Sequence, residues 1–311
     1  MAVEIGTATS FADLYTKLRD FLTGNVDLVA AGQAWTVLAG PAAGTLTFTD
    51  ELLLQGPGSG GADEVLVGLH PSVSVGSDYY NLGIAGYSSY NAGIPLADQA
   101  NRLPSRFLHL WDGAMPYWFV ANGRRFIVVV RVTTVYQSAY AGFILPYHLP
   151  TTYAYPLFVG ACSRVSTWRY SQVSGGHSAF FHPGSTSSSD TLSTVGAAIR
   201  LPDGQWARLC NKYDQSGADN FENVNNVGPW AAYLGHSVLR DGLDGLHKLL
   251  PAEIAITDPY PANLGALEGV WYVPGFGTAS ENLITVDGVD YLVVQNVFRT
   301  ANNEYAAIAL E

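Results

Sequence analysis

Two pairs of apolar runs, each joined by a two-residue turn signal, constrain the fold of this chain more than any other feature. Asn122-Gly123 divides residues 117–132, and Asp287-Gly288 divides residues 283–297. A two-residue hairpin loop of type I′ needs positive φ at both positions, and Asn-Gly and Asp-Gly tolerate that conformation best. The chain is therefore predicted to be mainly β, with antiparallel strands.

The same pattern recurs along the first third of the chain. Short runs of β-branched and aromatic residues, bounded by Gly, Pro, Asn and Asp, are typical of strands. They predict strands at residues 35–38, 45–55, 65–69, 79–90 and 107–111. Together with the two hairpins, these strands favour an antiparallel β-sandwich-like body.

A segment near the start has a helical period instead. Its apolar residues recur at spacings of three and four, which is typical of an amphipathic helix. Ser10 and Asp13 form an acidic variant of the capping box, and Gly24 is well placed to end the helix. The apolar stripe consists of Phe11, Leu14, Tyr15, Leu18, Phe21 and Leu22. This stripe must pack either against the body of the chain or against a neighbouring subunit.

These patterns divide the chain into three parts. We expect an N-terminal helical segment at residues 1–32, a β-rich domain at residues 33–160 and a second β-rich part at residues 161–311. The sequence leaves open whether the third part is continuous with the second. A second helix is indicated at residues 238–250, where a leucine stripe is interrupted by glycines.

The charge balance excludes one class of partner. The chain has 15 basic and 26 acidic residues, a formal net charge of -11, and phosphate-backbone binding needs a basic footprint. Nucleic acid is therefore not expected as a partner.

The start of the chain has neither the basic nor the apolar region of a secretory signal, and no apolar run is long enough to span a membrane.

No motif supports an enzyme or a cofactor. The glycine-rich residues 56–61 match a dinucleotide fingerprint, but another strand pattern follows them instead of a helix. Ser237 lacks the second glycine of a hydrolase elbow. The candidate metal ligands are not spaced to converge, and the two cysteines form no ligand set or disulfide framework. These ligands and cysteines are His177, His182, Asp241, Asp244, His247, Cys162 and Cys210.

Aromatic residues and arginine are more informative than any motif. Lys17, Lys212 and Lys248 are the only lysines, and the chain has 18 Tyr and 7 Trp. Enrichment in Arg, Tyr and Trp with depletion of Lys is typical of protein contact surfaces. The sequence therefore predicts a homo-oligomer or a larger assembly. The residues assigned to its interfaces are Phe11, Leu14, Tyr15, Leu18, Trp111, Tyr117, Trp118, Tyr147, Tyr153 and Tyr155.

Five segments resemble virion structural proteins of tailed bacteriophages. The likeness covers roughly residues 1–210, and its most specific part is the long Asn-Gly hairpin. The segments are residues 28–38, 116–130, 136–146, 155–160 and 200–206. The resemblance implies a structural role in a tail, baseplate or neck, beside other virion proteins, with assembly in the host bacterial cytoplasm. It transfers no catalytic residue.

Two alternatives stay open. Exposed Tyr, Trp and Asn-rich loops can stack on sugars, so the chain is also compatible with a tail module that binds a receptor or a host cell-surface glycan. An enzyme that degrades surface polysaccharide is the third possibility. Its pair of catalytic carboxylates need not lie close together in sequence.

Overall fold

The chain is mainly β, as predicted, and the strands that the structure describes form three antiparallel sheets. The structure is a computed structural model that describes residues 1–58, 63–172, 177–182, 196–209, 226–228, 249–257 and 259–311. Besides the strands it contains two α-helices, α1 (Phe11–Gly24) and α2 (Val26–Ala30), and two short 3-10 helices, Val75–Ser77 and Leu96–Asp98. The second helix expected at residues 238–250 falls almost entirely outside the described residues.

The first sheet, here called the central sheet, has seven strands. It starts at the N-terminal strand and ends near residue 209. In spatial order its strands are β1 (Ala2–Ala8), β7 (Met115–Ala121), β8 (Arg125–Val132), β9 (Val135–Phe143), β11 (Leu157–Gly160), β12 (Ala197–Arg200) and β13 (Trp206–Leu209).

The other two sheets are named for the sides of the central sheet that they cover. The front sheet has strands β2 (Thr36–Ala39), β3 (Leu52–Gly56), β4 (Val65–Ser74), β5 (Tyr79–Tyr87) and β6 (Arg106–Leu110). The back sheet has strands β14 (Asn226–Val227), β15 (Leu250–Ile256), β16 (Ala262–Tyr272), β19 (Tyr305–Ala309), β18 (Val289–Gln295) and β17 (Leu283–Val286), with β10 (Leu145–Pro146) pairing to β16.

The central sheet is buried on both faces, so the body is a sandwich of three layers. Alternate residues of one strand point to opposite faces. Phe119 and Val128 join one hydrophobic cluster with the front sheet and α1, whereas Trp118 and Val129 join another with the back sheet. This double burial explains why residues 126–130 form an unbroken apolar run without alternation.

Helix α1 begins and ends as the sequence predicts. The Ser10 hydroxyl accepts a hydrogen bond from the Asp13 amide at 3.1 Å, and the Asp13 carboxylate accepts one from the Thr9 amide at 2.8 Å. These bonds satisfy amides at the start of the helix that have no partner within it. The helix ends at Gly24, and α2 follows directly.

The apolar stripe of α1 packs within this chain, so its assignment to an interface between subunits is wrong. The residues concerned are Phe11, Leu14, Tyr15 and Leu18, each at most 1% exposed. The Tyr15 hydroxyl donates to the Asp50 carbonyl at 3.0 Å, which ties the helix to the body of the chain. A helix whose apolar face is fully covered in this way has none left for a neighbour.

The predicted division into three segments also needs correction. Residues 2–8 of the helical segment form β1, which pairs along its whole length with β7. The central sheet then continues through β12 and β13, so it draws strands from all three predicted segments. The first segment is therefore not purely helical, and the two β-rich parts share one sheet.

Both predicted hairpins are present, but their turns differ. Asp287 and Gly288 have φ of 52° and 86°, as a type I′ turn requires. Neither Asn122 nor Gly123 has positive φ. Instead the Asn122 side-chain oxygen accepts hydrogen bonds from the amides of Arg124 and Arg125, at 2.8 and 3.0 Å. Asn122 therefore acts through its side chain.

One predicted strand is shorter than expected. Residues 45–51 are not strand, because Thr47 and Asp50 close a turn in which the Thr47 amide donates to the Asp50 carboxylate at 2.7 Å. Gly56 ends β3, and the antiparallel β4 begins at Val65; residues 59–62 lie outside the described residues. The next described element after Gly56 is therefore a strand, as the sequence predicted.

Candidate functional site

Three more residues assigned to an interface lie in the interior. Tyr117 stacks on Phe119 with ring centroids 4.2 Å apart, and its hydroxyl donates to Glu4 at 2.7 Å. Trp118 faces the back sheet, and the Tyr153 hydroxyl donates to the Arg200 carbonyl. All three side chains are buried. The prediction that Tyr117, Trp118 and Tyr153 contact neighbouring subunits is therefore wrong, because they pack against their own chain.

The remaining three are at least partly accessible. Trp111 is 37% exposed and Tyr147 is 54% exposed. Tyr155 is partly buried, with the Arg200 guanidinium 5.1 Å from its ring centroid. The assignment of these three residues to an interface stays a prediction. Tyr147 is the most accessible of them, and its neighbour Leu149 is 71% exposed.

A stronger candidate for an interface, which the sequence reasoning missed, is the outer edge of the central sheet. β1 is its first strand and pairs on one side with β7, from Ala2↔Ala121 to Ala8↔Met115. Within the described residues, its backbone makes no hydrogen bond on the other side. This leaves an outward row of amide and carbonyl groups along seven residues.

The side chains of β1 do little to block this edge. Lysine, proline and bulges are the usual means by which natural sheets protect an edge strand. β1 has the sequence Ala-Val-Glu-Ile-Gly-Thr-Ala and contains none of them. Its one charged residue, Glu4, accepts a hydrogen bond from Tyr117. Ile5, in the middle of the strand, is 59% exposed.

A groove lies on the outer side of the front sheet. It has a volume of about 880 Å³ and lies between β2, β3 and β4 on one side and two loops on the other. Its lining combines the rings of Tyr90 and Tyr155 with the polar groups of Gln55, Glu64 and Ser88. Aromatic rings beside amide, carboxylate and hydroxyl groups are the chemistry that binds sugars.

A buried polar chain joins the front sheet to the segment that covers it. Asn81 donates through Nδ2 to the carbonyls of Ser166 and Trp168, at 2.7 and 2.9 Å. Its Oδ1 therefore faces His109 Nδ1 as the acceptor, at 3.1 Å. His109 Nε2 then accepts a hydrogen bond from the Ser163 hydroxyl, whose Oγ lies 2.8 Å away.

In the nucleophilic triads of hydrolases, a serine or cysteine contacts a histidine whose other ring nitrogen contacts an Asp, Glu or Asn side chain. Here Asn81, His109 and Ser163 are all fully buried, so a substrate cannot reach the hydroxyl. The Ser163 hydroxyl also accepts a hydrogen bond from the Val165 amide at 3.0 Å. The arrangement satisfies buried polar groups and holds residues 163–168 on the front sheet.

His177 completes this buried cluster. Its ring lies 4.7 Å from that of His109 and 4.5 Å from that of Trp168. Burial, with a smaller effect of the Arg299 charge, lowers the pKa of His177 to about 4. Burial holds the pKa of His109 well below its usual value, and the charge that His177 would carry when protonated lowers this pKa further. Both rings are therefore neutral at pH 7.

The other residues that the sequence singled out do not form a site. His182 and Glu304 lie 3.8 Å apart, and burial raises the pKa of the Cys162 thiol to about 12. Across the described ranges, no three His, Cys, Asp or Glu side chains are grouped to hold a metal ion. Five of those residues lie outside the described residues: Cys210, Ser237, Asp241, Asp244 and His247.

Comparisons with known proteins assign the chain to no family. None of the described helices has both the length and the hydropathy to cross a bilayer. A scan against models of protein families finds no match. A search of curated proteins finds no similar sequence.

Proposed function

We propose that this chain is a structural component of a tailed bacteriophage particle, in the tail, baseplate or neck, where it contacts copies of itself and other virion proteins. The observation that carries the proposal is the unpaired β1 edge. A partner strand that adds to this edge gains a row of main-chain hydrogen bonds. The resemblance of five sequence segments to virion structural proteins supports the same role.

The aromatic residues contribute less to this proposal than the sequence suggested. Tyr117, Trp118 and Tyr153 are core residues, so they explain the stability of the chain and not its association. The apolar side chain of Ile5 remains on the exposed edge. Association is therefore expected to run through β1.

Replacing Ile5 with lysine tests the association. Lysine on an edge strand opposes pairing, because its charge would be brought against the partner strand. We expect sedimentation velocity to show concentration-dependent association of the unchanged protein and at least about tenfold weaker association of Ile5→Lys. Val26→Lys is the matched control, because Val26 is 73% exposed but lies on α2.

Two results would count against the role. If the protein stays monomeric at every concentration, it is not a homo-oligomer. If the two lysine variants associate equally, β1 is not the contact. Location in a particle needs a separate measurement. Labelling with an antibody to this chain, followed by imaging of purified virions, should place it on the tail, baseplate or neck.

The groove on the front sheet favours a second candidate, a tail module that binds a host cell-surface glycan. We expect a glycan array to detect binding that Tyr90→Ala weakens about tenfold, through loss of one stacking ring. Tyr147→Ala is the control, because Tyr147 is exposed but does not line the groove. Absence of any bound glycan would remove this candidate. Degradation of polysaccharide remains the third alternative, which a reducing-sugar assay checks.

A further inference from the structure

Two arginines face each other where residues 162–164 cross the end of the front sheet. Phe107 in β6 pairs with Ser163 in an antiparallel bridge, and the Phe107 amide donates to the Ser163 carbonyl at 2.8 Å. In an antiparallel pair, the residue before one partner lies opposite the residue after the other. Arg106 therefore lies opposite Arg164.

Arg208 approaches the same place from β13. It shares a face of this strand with Trp206, two residues earlier, and the Trp206 ring packs on Gly86 in β5. Gly86 is two residues from Ile84, which is the cross-strand partner of Arg106. β13, at the end of the central sheet opposite to β1, thus places a third guanidinium near the first two.

The charges of these arginines act on one another. Burial lowers the pKa of Arg106 to about 9, and the charges of Arg164 and Arg208 add to the effect. Burial and Arg208 also lower the pKa of Arg164. Among the residues that the structure describes, no carboxylate forms an ion pair with any of the three. Like charges repel one another, and an anion between them would offset this repulsion.

Arg106 also has hydrogen-bonding capacity that the described residues do not use. Its side chain is 1% exposed, and Nη1 donates to the Pro104 carbonyl at 2.7 Å. Its buried Nε has no hydrogen-bond partner in the structure, which is costly for a charged group. Arg164 is partly buried and Arg208 is exposed. The exposure of the three side chains therefore decreases from Arg208 through Arg164 to Arg106.

We propose that Arg106, Arg164 and Arg208 bind a tetrahedral oxyanion, either phosphate or sulfate or a group that carries one. A guanidinium presents its donors as a planar fork that matches two oxygens of such an anion. Three forks can share the four oxygens of one phosphate, and its negative charge offsets their repulsion. This site is separate from the β1 edge and does not depend on the role proposed above.

Calorimetric titration of the full chain with inorganic phosphate, sulfate and acetate tests the site at constant ionic strength. We expect phosphate and sulfate to bind and to raise the melting temperature, whereas acetate should bind much more weakly. Arg164→Gln and Arg208→Gln should each weaken phosphate binding at least about tenfold, because each removes charge-assisted hydrogen bonds. Both residues reach solvent, so these variants should fold.

Arg169→Gln is the matched control. It removes the same charge from an exposed arginine that donates to the Ser77 carbonyl, and it should leave phosphate binding unchanged. Titration with glucose 6-phosphate and glucose shows whether the site accepts a phosphate ester, and binding of the ester alone also supports the site. The proposal is overturned if none of phosphate, sulfate and glucose 6-phosphate binds, if acetate binds as tightly, or if Arg164→Gln and Arg208→Gln bind like the unchanged protein.

Discussion

Replacing Glu268 with glutamine should lower the free energy of unfolding by roughly 3 kcal/mol, because it removes the negative charge beside a buried arginine. Glu268 Oε1 accepts hydrogen bonds from Arg124 Nη2 at 2.8 Å and from Asn122 Nδ2 at 2.9 Å. Arg125, the next residue along β8, is fully buried. The charge of Glu268 raises the pKa of Arg125, against a larger lowering by burial.

The structural reason for this effect is the position of Glu268 between two layers. It lies on β16 of the back sheet, whereas the two arginines belong to the hairpin of the central sheet. Without its charge, the fully buried guanidinium of Arg125 and the partly buried guanidinium of Arg124 would lose the carboxylate beside them. Removing one partner of a buried ion pair is far more destabilising than removing an exposed one.

Glu281→Gln is the matched control for this prediction. Glu281 pairs with Arg131 at 2.5 Å, but the two side chains are 33% and 37% exposed. Exposed pairs contribute about 0 to 1 kcal/mol, since solvent screens them. Chemical denaturation of both variants should show the difference. An equal loss of stability in the two would contradict the role assigned to burial at Glu268.

The hairpins show how far local sequence goes. Asp287-Gly288 predicted both the position and the type of its turn, because positive φ depends on the two turn residues alone. Asn122-Gly123 predicted the position but not the conformation. Its flanking residues include Arg124 and Arg125, whose amides bond the Asn122 side chain. A longer turn with a side-chain acceptor competes with type I′ for the same dipeptide.

Burial was harder to predict than secondary structure. The helical spacing of Phe11 and Leu14 indicated an apolar face, but spacing does not identify what covers that face. The unbroken run at residues 126–130 was a usable signal, because a strand without alternation is typically buried on both sides. It implies a third layer around the central sheet, which the aromatic count alone attributed to neighbouring subunits.

The buried polar cluster could not be derived from spacing. His109 lies 28 residues from Asn81 and 54 from Ser163, and only the fold brings them together. A weak signal exists in the strands themselves. Asn81 lies among the apolar residues of β5, and His109 lies between Leu108 and Leu110 in β6. A polar residue at a core position needs a partner. The sequence therefore indicates that partners exist but does not name them.

The same cluster leads to a pH dependence of stability. The pKa of His177 is lowered to about 4, and that of His109 lies well below its usual value, in both cases chiefly by burial. In the unfolded chain both histidines have a pKa of about 6.5. Below that pH the unfolded chain binds protons that the folded chain does not. Stability should therefore be fully present above about pH 6.5 and should fall as the pH decreases.

The expected slope is about 1.4 kcal/mol per pH unit for each histidine between their unfolded and folded pKa values. For His177 this amounts to roughly 3 kcal/mol between pH 6.5 and 4. Arg299, whose Nη1 donates to the His177 carbonyl at 2.5 Å, adds a positive charge that opposes protonation. His70, whose pKa is lowered mainly by burial, acts with the same sign.

Denaturant titration between pH 6.5 and 5 measures this slope above the range in which most carboxylates titrate. His177→Phe keeps an aromatic ring against Trp168 but cannot take up a proton, so it should reduce the slope by about 1.4 kcal/mol per pH unit. His148→Gln is the control, because it replaces an exposed histidine outside the buried cluster. If His177→Phe follows the unchanged protein at every pH, His177 is not neutral in the folded chain, and the buried cluster must be held together differently.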